Sequence, residues 1–174
     1  MKHLLLVIDM QNDFIDGSLG TAQAQQIVQN VIAKISSFSG DLYYTRDTHT
    51  ENYLNTLEGK KLPVMHCIKN TFGWEIQKDI WNVGVNKNPT IIDKPTFASN
   101  ELAQTLCQKS YDSITLIGLC TDICVISNAL AIKSLLWETP IAVDANCCAG
   151  VTPQSHTQAL NAMAMCQIDI LNNP

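Results

Sequence analysis

Short apolar runs alternate with segments of helical periodicity along the whole chain. The first run, 3–8, is continuously apolar after its histidine, which indicates a strand buried on both faces. Segment 21–37 repeats its apolar residues at helical spacing, which is typical of a helix with one buried face. The alternation predicts a three-layer α/β/α fold, doubly wound around a six-stranded, mostly parallel sheet. The predicted strands are 3–8, 42–45, 89–92, 113–118, 140–143 and 168–171.

The segments between these strands predict further helices and one long loop. Residues 47–71 lack clear periodicity and contain Asn, Gly and Pro, so we expect a loop there, and loops of this length are often functional. Thr121 or Asp122 is expected to cap the helix after the fourth strand, and Thr152 the last helix. The further predicted helices are 74–81, 100–109, 121–137 and 153–165.

Length and charge limit the classes of protein to which the chain can belong. Its 174 residues predict one domain, 1–174. The formal charge is −5, Arg46 is the only arginine and the lysines are scattered, so neither nucleic acid nor a membrane is expected as a partner. The first apolar run stops at Asp9 without a cleavage site, which predicts a cytoplasmic protein rather than one with a signal peptide.

The chain contains seven cysteines. Because the number is odd and no signal peptide is expected, we predict no disulfide framework and interpret most of the thiols as small core residues. Cys147 and Cys148 follow the predicted fifth strand and are expected to be structural.

Ionisable residues follow four of the predicted strands. Asp9 follows the first, Asp47 the second and Lys94 the third, and the fourth leads to Cys120 and Cys124. A single such residue is commonly a solvated turn residue. The carboxyl ends of parallel strands share one edge of the sheet, where ligands bind in such folds, so we expect these side chains to form a site together.

Cys124 is the candidate nucleophile of this site. It falls in the first turn of a predicted helix, where unpaired backbone N–H groups and the helix dipole favour a thiolate. A nucleophile of this kind needs a base, and Asp9 or another acid at the same edge is expected to serve. The backbone N–H of Cys120 is expected to help to hold an oxyanion.

A second group of residues predicts a divalent metal ion. Asp47 and His49 lie two positions apart, and His66 follows across the long loop. An Asp/His/His set with an open coordination position suits Zn²⁺, and also Fe²⁺ or Mn²⁺. Glu58, inside the loop, is either a fourth ligand or a solvated loop acid.

Five segments together carry the motifs of a known family. They occur in the family's order and span nearly the whole chain, and the first and last together are highly specific. On these motifs the chain resembles the isochorismatase-like cysteine hydrolases, and within them the metal-containing nicotinamidase/pyrazinamidase branch. The segments are 9–14 (Asp-Met-Gln-Asn-Asp-Phe), 45–49 (Thr-Arg-Asp-Thr-His), 63–67 (Pro-Val-Met-His-Cys), 93–95 (Asp-Lys-Pro) and 118–125 (Gly-Leu-Cys-Thr-Asp-Ile-Cys-Val).

The resemblance implies a Rossmann-like fold and assigns catalytic roles. Asp9 matches the family's acid/base, Lys94 its lysine and Cys124 its nucleophile. The resemblance also implies a cis peptide bond between Leu119 and Cys120, which would turn the Cys120 N–H into the oxyanion hole.

The resemblance further implies a metal site and a substrate pocket. Phe14 matches an aromatic wall of the pocket, and Trp74 and Phe97 are candidates for further substrate contacts, although core packing is the other interpretation of Trp74. The chain departs from the nicotinamidase pattern at Pro63, where Trp is common, and over 95–99. The matched metal ligands are Asp47, His49 and His66, with Glu58 as the conceivable fourth.

These matches predict a cysteine-dependent amidohydrolase that converts a small, heteroaromatic amide into the acid and ammonia through a thioester. Two alternatives stay open. One is an isochorismatase or ureido hydrolase that uses the same triad without a metal, and the other is a non-catalytic binding protein of this fold. The family also implies assembly into a homo-oligomer.

Overall fold

The computed structural model describes residues 1–173 and contains one six-stranded sheet. Every strand pairing is parallel, and the strand order is β3-β2-β1-β4-β5-β6. The predicted six-stranded, largely parallel sheet is therefore confirmed. The strands are β1 His3–Ile8, β2 Asp41–Asp47, β3 Thr90–Lys94, β4 Ser113–Leu119, β5 Ile141–Ala149 and β6 Asp169–Leu171.

In the described part of the chain, seven α-helices connect the strands. Short 3₁₀ turns occur at Tyr53–Asn55, Phe72–Trp74 and Val85–Lys87, and Thr121–Val125 is a π-helical turn. The helices are α1 Asn12–Ile15, α2 Ala22–Ser37, α3 Leu57–Lys61, α4 Lys78–Gly84, α5 Asn100–Cys107, α6 Ile126–Leu135 and α7 Pro153–Met165. Within residues 1–173, no helix combines the length and the apolar character needed to cross a membrane.

The central strand β1 explains why its sequence is continuously apolar. Leu4 and Leu6 point to one face of the sheet, where α5, α6 and α7 pack. Leu5 and Val7 point to the opposite face, where α2 and α4 pack. All four side chains are fully buried, so each face of the strand contributes to a separate half of the hydrophobic core.

The strand order reverses direction between β1 and β4, and this is where parallel α/β sheets usually bind ligands. The two strands approach closely there. At Gly118, φ is +115° and an added Cβ would lie 2.1 Å from the carbonyl oxygen of Ile8. Residue 118 must therefore be glycine for β4 to reach its position beside β1.

The segment predicted to be one long loop contains local structure. After the 3₁₀ turn at Tyr53–Asn55, α3 begins where the Thr56 hydroxyl accepts a hydrogen bond from Gly59 N. The predicted helix 74–81 is also displaced. The Gln77 side chain caps the backbone N–H groups of Asp79 and Ile80, so α4 begins at residue 78.

Strand β5 is longer than its sequence predicts. Polar Asp144 and Asn146 interrupt its apolar run, but Asp144 is buried because Lys34 binds it at 2.7 Å. Cys147 and Cys148 consequently lie within the strand rather than after it, and both are buried.

Candidate active site

Three of the predicted residues form one buried group, which we call the nucleophile cluster: Asp9, Lys94 and Cys124. Lys94 Nζ lies 2.6 Å from Asp9 Oδ2 and 3.5 Å from Cys124 Sγ. Asp9 follows β1, Lys94 ends β3 and Cys124 follows β4. The register of the parallel sheet therefore brings a carboxylate, an amine and a thiol from distant parts of the sequence into contact.

The Asp9 side chain is fixed by its neighbour on β2. The hydroxyl of Thr45 donates to Asp9 Oδ1 at 2.7 Å and accepts from Asp9 N at 3.2 Å. Asp9 itself has φ of +46°, a left-handed conformation that is uncommon for a residue other than glycine and is often found at functional sites. Sequence reasoning missed Thr45, although this residue opens one of the quoted motifs.

The electrostatics of the nucleophile cluster are dominated by burial. Burial raises the pKa of Asp9, and the Lys94 ammonium offsets only part of this effect. Burial lowers the pKa of Lys94, but the charges of Asp9, Cys124 and Asp47 outweigh it and hold the pKa above its usual range. Lys94 is therefore a cation within a buried site.

Burial and the Asp9 carboxylate also raise the pKa of the Cys124 thiol well above its usual range. The resting form of Cys124 is therefore the protonated thiol, contrary to the thiolate expected from the helix start alone. Attack by the sulfur therefore requires a base that accepts the thiol proton.

Cys124 lies in the π-helical turn Thr121–Val125, which continues directly into α6. Cys120 precedes this turn, and the Leu119–Cys120 peptide bond is cis, as the resemblance implied. The predicted cap at Thr121 or Asp122 is wrong, because Cys120 occupies the cap position without a side-chain hydrogen bond. The Asp122 carboxylate instead accepts a hydrogen bond from Val151 N.

A second group, which we call the metal-site cluster, consists of Asp47, His49, Glu58 and His66. One ligand atom from each residue lies within 4.8 Å of all the others. His49 Nε2 is 3.0 Å and His66 Nε2 is 3.5 Å from Asp47 Oδ2. Glu58 Oε1 is 3.6 Å from His49 Nε2 and 3.8 Å from His66 Nε2, so the Glu58 side chain converges with the other three.

The chemistry of these four residues fits a divalent cation. The backbone carbonyl of Val64 accepts a hydrogen bond from His66 Nδ1 at 2.8 Å, which leaves the lone pair of Nε2 directed at the cluster. Burial opposes ionisation of Asp47, but its contacts with His49, His66 and the Lys94 ammonium hold its pKa well below its usual range. Two imidazoles and two carboxylates form a ligand set that suits zinc and also iron or manganese.

The two clusters meet at one cavity. Lys94 Nζ lies 3.6 Å from Asp47 Oδ1, which links them directly. The cavity encloses about 40 Å³ and is lined by Cys124 on one side and His66 on the other. Its remaining lining residues are Phe14, Asp47, Glu58, Phe97, Cys120 and Ile123.

Two of the three predicted substrate contacts reach this cavity, namely Phe14 and Phe97. Trp74 does not line it. The Arg46 guanidinium lies 3.7 Å from the centre of the Trp74 ring, and the indole N–H donates to Thr48 Oγ1 at 2.9 Å. Trp74 thus packs behind the strand end, which agrees with the core-packing interpretation. Ile123 was not predicted, because the direction of a side chain in a π-helical turn cannot be read from helical periodicity.

The fold and the site define an α/β protein that holds a cysteine, a lysine and a carboxylate in contact beside four residues suited to a metal. A family model described as the isochorismatase domain matches residues 3–172. The chain therefore belongs to the isochorismatase domain family.

Named relatives agree with this assignment. A nicotinamidase of Saccharomyces cerevisiae is 24% identical over 185 residues, an alignment that covers 80% of this chain and 85% of the relative. The crystal structure of nicotinamidase/pyrazinamidase PncA from Bacillus subtilis has a TM-score of 0.87 at 24% identity, covering 99% of this chain and 100% of that one. Pyrazinamidase of Pyrococcus horikoshii, solved in complex with zinc, has a TM-score of 0.81 at 25% identity, covering 99% and 100%.

Proposed function

We propose that the chain is a cysteine-dependent amidohydrolase of the nicotinamidase type. It would hydrolyse a small heteroaromatic amide to the corresponding acid and ammonia. The observation that carries the proposal is the contact of Lys94 with both Asp9 and Cys124 at a cavity shared with four potential metal ligands. This arrangement provides a nucleophile, a base and a fixed positive charge at one position.

The first half of the reaction forms a thioester. The Asp9 carboxylate accepts the Cys124 thiol proton while the sulfur attacks the amide carbon. The resulting oxyanion accepts hydrogen bonds from the backbone N–H groups of Cys120 and Cys124, and loss of one such donor typically costs about 10²–10³ in rate. When the carbonyl re-forms, the C–N bond breaks and Asp9 returns the proton to the leaving nitrogen, which departs as ammonia.

The second half releases the acid. A water molecule attacks the thioester carbon and transfers a proton to Asp9. The C–S bond then breaks, and the Cys124 sulfur recovers a proton from Asp9. The Lys94 ammonium balances the negative charge, whether this resides on the carboxylate or on the sulfur, and the cycle restores the resting enzyme.

The metal would be held by Asp47, His49 and His66, with Glu58 as the fourth ligand. When bound, it would act as a Lewis acid that holds a heteroatom of the substrate, such as a pyridine nitrogen. The presence of this ligand group supports the nicotinamidase type over an isochorismatase or ureido hydrolase that works without metal. Zinc in a structural neighbour supports zinc as the ion.

Phe14 and Phe97 are proposed as the apolar walls that contact the substrate ring. A wider cavity of about 340 Å³ adjoins the small one, and Phe97 lines both. Phe97 is 42% exposed, and we propose that rotation of its side chain would join the two cavities and admit an aromatic ring. This arrangement supports a planar amide as the substrate.

The test is ammonia release from nicotinamide and pyrazinamide by the zinc-loaded protein. We expect activity in the wild type and none in Cys124→Ala, because the covalent intermediate cannot form. Cys107→Ala, which removes an exposed thiol, should retain full activity and serves as the matched control. Full activity of Cys124→Ala, with a melting temperature unchanged from that of the wild type, would contradict the covalent mechanism.

One domain spanning 1–174, a cytoplasmic location and a homo-oligomeric state remain predictions. Gel filtration with light scattering would test the last of these.

A further inference from the structure

We infer that Gln11 and Asp13 are positioning residues that hold the backbone of the metal-site cluster in its binding geometry. This inference rests on the proposed metal site, and it assigns a purpose to two polar side chains that the mechanism above does not use. Both follow Asp9 in the first motif, at intervals of two residues.

The Gln11 side chain forms hydrogen bonds with both the N–H and the carbonyl group of Asp47. Its Oε1 accepts from Asp47 N at 2.7 Å, and its Nε2 donates to Asp47 O at 2.9 Å. The same Nε2 donates to Trp74 O at 2.8 Å. Gln11 is completely buried, so two hydrogen bonds to one side chain fix the end of β2 at the residue that would bind the metal, and the third joins it to the segment of Trp74.

Asp13 acts on the opposite side of the cluster. Its Oδ2 accepts from Cys67 N at 2.7 Å, one residue after His66. The carbonyl oxygen of Cys67 in turn accepts from His49 N at 2.9 Å. One carboxylate therefore anchors a short chain of hydrogen bonds that runs through Cys67, the neighbour of His66, to the backbone N–H of His49.

The surroundings of Asp13 indicate that its position is constrained. A Cβ added at Gly73 would lie 2.1 Å from Asp13 Oδ2, so the carboxylate fits only because residue 73 has no side chain. Cys67 has φ of +48°, and the hydrogen bond from its N–H to Asp13 supports this uncommon conformation. The direction of His66 depends on the residue that follows it being held there.

The segment 9–13, which runs from the end of β1 into α1, thus supplies side chains to both clusters. Asp9 belongs to the nucleophile cluster, whereas Gln11 and Asp13 hold the metal-ligating segments from two sides. A shift of this segment would move Asp9 together with the side chains that hold the metal-ligating segments, which couples the position of the proposed base to that of the proposed metal.

The test is the zinc Kd of the apo protein, measured by competition with a chromophoric chelator, together with its melting temperature. Gln11→Leu and Asp13→Ala should each raise the zinc Kd by about 10–100-fold, the usual effect of removing a residue that orients a metal ligand. Asp13→Asn retains an oxygen that can accept from Cys67 N, and it should recover most of the affinity.

Asn12→Ala is the matched control. The Asn12 side chain lies in the same motif and donates to Phe72 O at 2.7 Å, but it has no hydrogen bond to the metal-ligating segments among the described residues. Its loss should lower the melting temperature and leave the zinc Kd unchanged. A purely structural role for Gln11 and Asp13 would give the same result as Asn12→Ala and would overturn the inference.

The outcomes separate this inference from the proposed activity. Weaker zinc binding by the variants, combined with no ammonia release from any amide by the wild type, would support the inference and contradict the activity. A wild type that binds no zinc would overturn the inference. If Gln11→Leu does not fold, the comparison of Asp13→Ala with Asp13→Asn decides, and equal zinc affinity in these two variants would overturn the inference.

Discussion

The nucleophile cluster and the metal-site cluster lie side by side at one edge of the sheet but are built in different ways. Asp9, Lys94 and Cys124 stand at or just after the ends of three strands, so the sheet register alone brings them together. Of the metal-site cluster only Asp47 belongs to a strand, and the other three residues come from the segment 48–66. Their convergence depends on the short helix α3, which carries Glu58, and on local hydrogen bonds such as that from His49 N to the carbonyl oxygen of Cys67.

The two clusters also differ in charge. The nucleophile cluster contains one carboxylate and the ammonium of Lys94 that neutralises it. The metal-site cluster contains two carboxylates, and burial together with the charge of Asp47 raises the pKa of Glu58. Lys94 contacts both clusters, at 2.6 Å from Asp9 and 3.6 Å from Asp47. The nucleophile cluster thus contains its own cation, whereas the two carboxylates of the metal-site cluster would be balanced by the proposed divalent cation.

Replacement of the base should cause the largest loss of activity. It should also show that the two clusters function independently. Asp9→Asn keeps the shape of the side chain but cannot accept the thiol proton. We expect kcat/KM for nicotinamide to fall by about 10²–10⁴-fold, the usual contribution of a general base. The zinc Kd should stay unchanged, and a parallel loss of zinc binding would show that the clusters are not separable.

The pH profile of the wild type provides the control for this variant. Because burial raises the pKa of Asp9, protonation should remove the base at a pH above the usual range for an aspartate. The value of kcat/KM should therefore fall as the pH decreases through this raised pKa, and the residual activity of Asp9→Asn should lack that acid limb. Asp16→Asn, at an exposed position, should reproduce the wild-type profile.

Removal of Lys94 should damage both clusters at once. Lys94→Met leaves the carboxylates of Asp9 and Asp47 without their shared cation in a buried site. Breaking a buried ion pair in this way typically costs about 3–5 kcal/mol, and we expect a loss of this order in the free energy of unfolding. Urea denaturation of the apo protein measures it.

Lys34→Met is the matched control for this variant. Lys34 also pairs with a buried aspartate, Asp144, at 2.7 Å, but its side chain is 27% exposed. Asp144 also retains a hydrogen bond from Asn172. The loss of stability should therefore be smaller, and activity should be retained. If both variants lost the same free energy of unfolding and both kept their activity, Lys94 would stabilise only the fold.

The same contrast explains how far the sequence could predict the molecule. The nucleophile cluster was predictable because residues that follow parallel strands must share an edge, whatever the details of the loops. The position of Trp74 was not predictable, because its packing on Arg46 depends on contacts between distant segments. The full length of β5 was also missed, since a buried Asp144 paired with Lys34 appears in the sequence only as a break in an apolar run.

The metal-site cluster itself was predictable as a set of residues but not as a geometry. No local pattern indicates that Glu58 should turn toward His49 and His66, and a solvated loop acid was the favoured interpretation. Its direction follows from α3, which the Thr56 cap initiates within a segment predicted to be a loop. Where a short capped helix and irregular backbone position the side chains, residue spacing does not determine position.

Replacement of Glu58 is expected to have the smallest effect, a slight weakening of zinc binding. The result indicates whether the metal site is closed or open. A structural zinc site uses four protein ligands, whereas a catalytic site keeps one position for water or substrate. Glu58 is the most exposed of the four side chains, at 20%. It also lies farther from the two imidazoles than Asp47 does. It is therefore the ligand that a substrate heteroatom could displace.

Glu58→Gln should raise the zinc Kd by less than tenfold, below the about 10–100-fold range typical even of residues that only orient a ligand. His49→Ala, which removes a central ligand, should exceed this range, and Glu51→Gln, at an exposed position on the same loop, should have no effect. If Glu58 yields its place to the substrate, the variant should retain kcat, because the substrate-bound site is the same in both proteins. A loss of zinc affinity equal to that of His49→Ala would instead identify a closed site, in which the substrate could reach the cluster only by displacing a ligand as strongly held as the histidines.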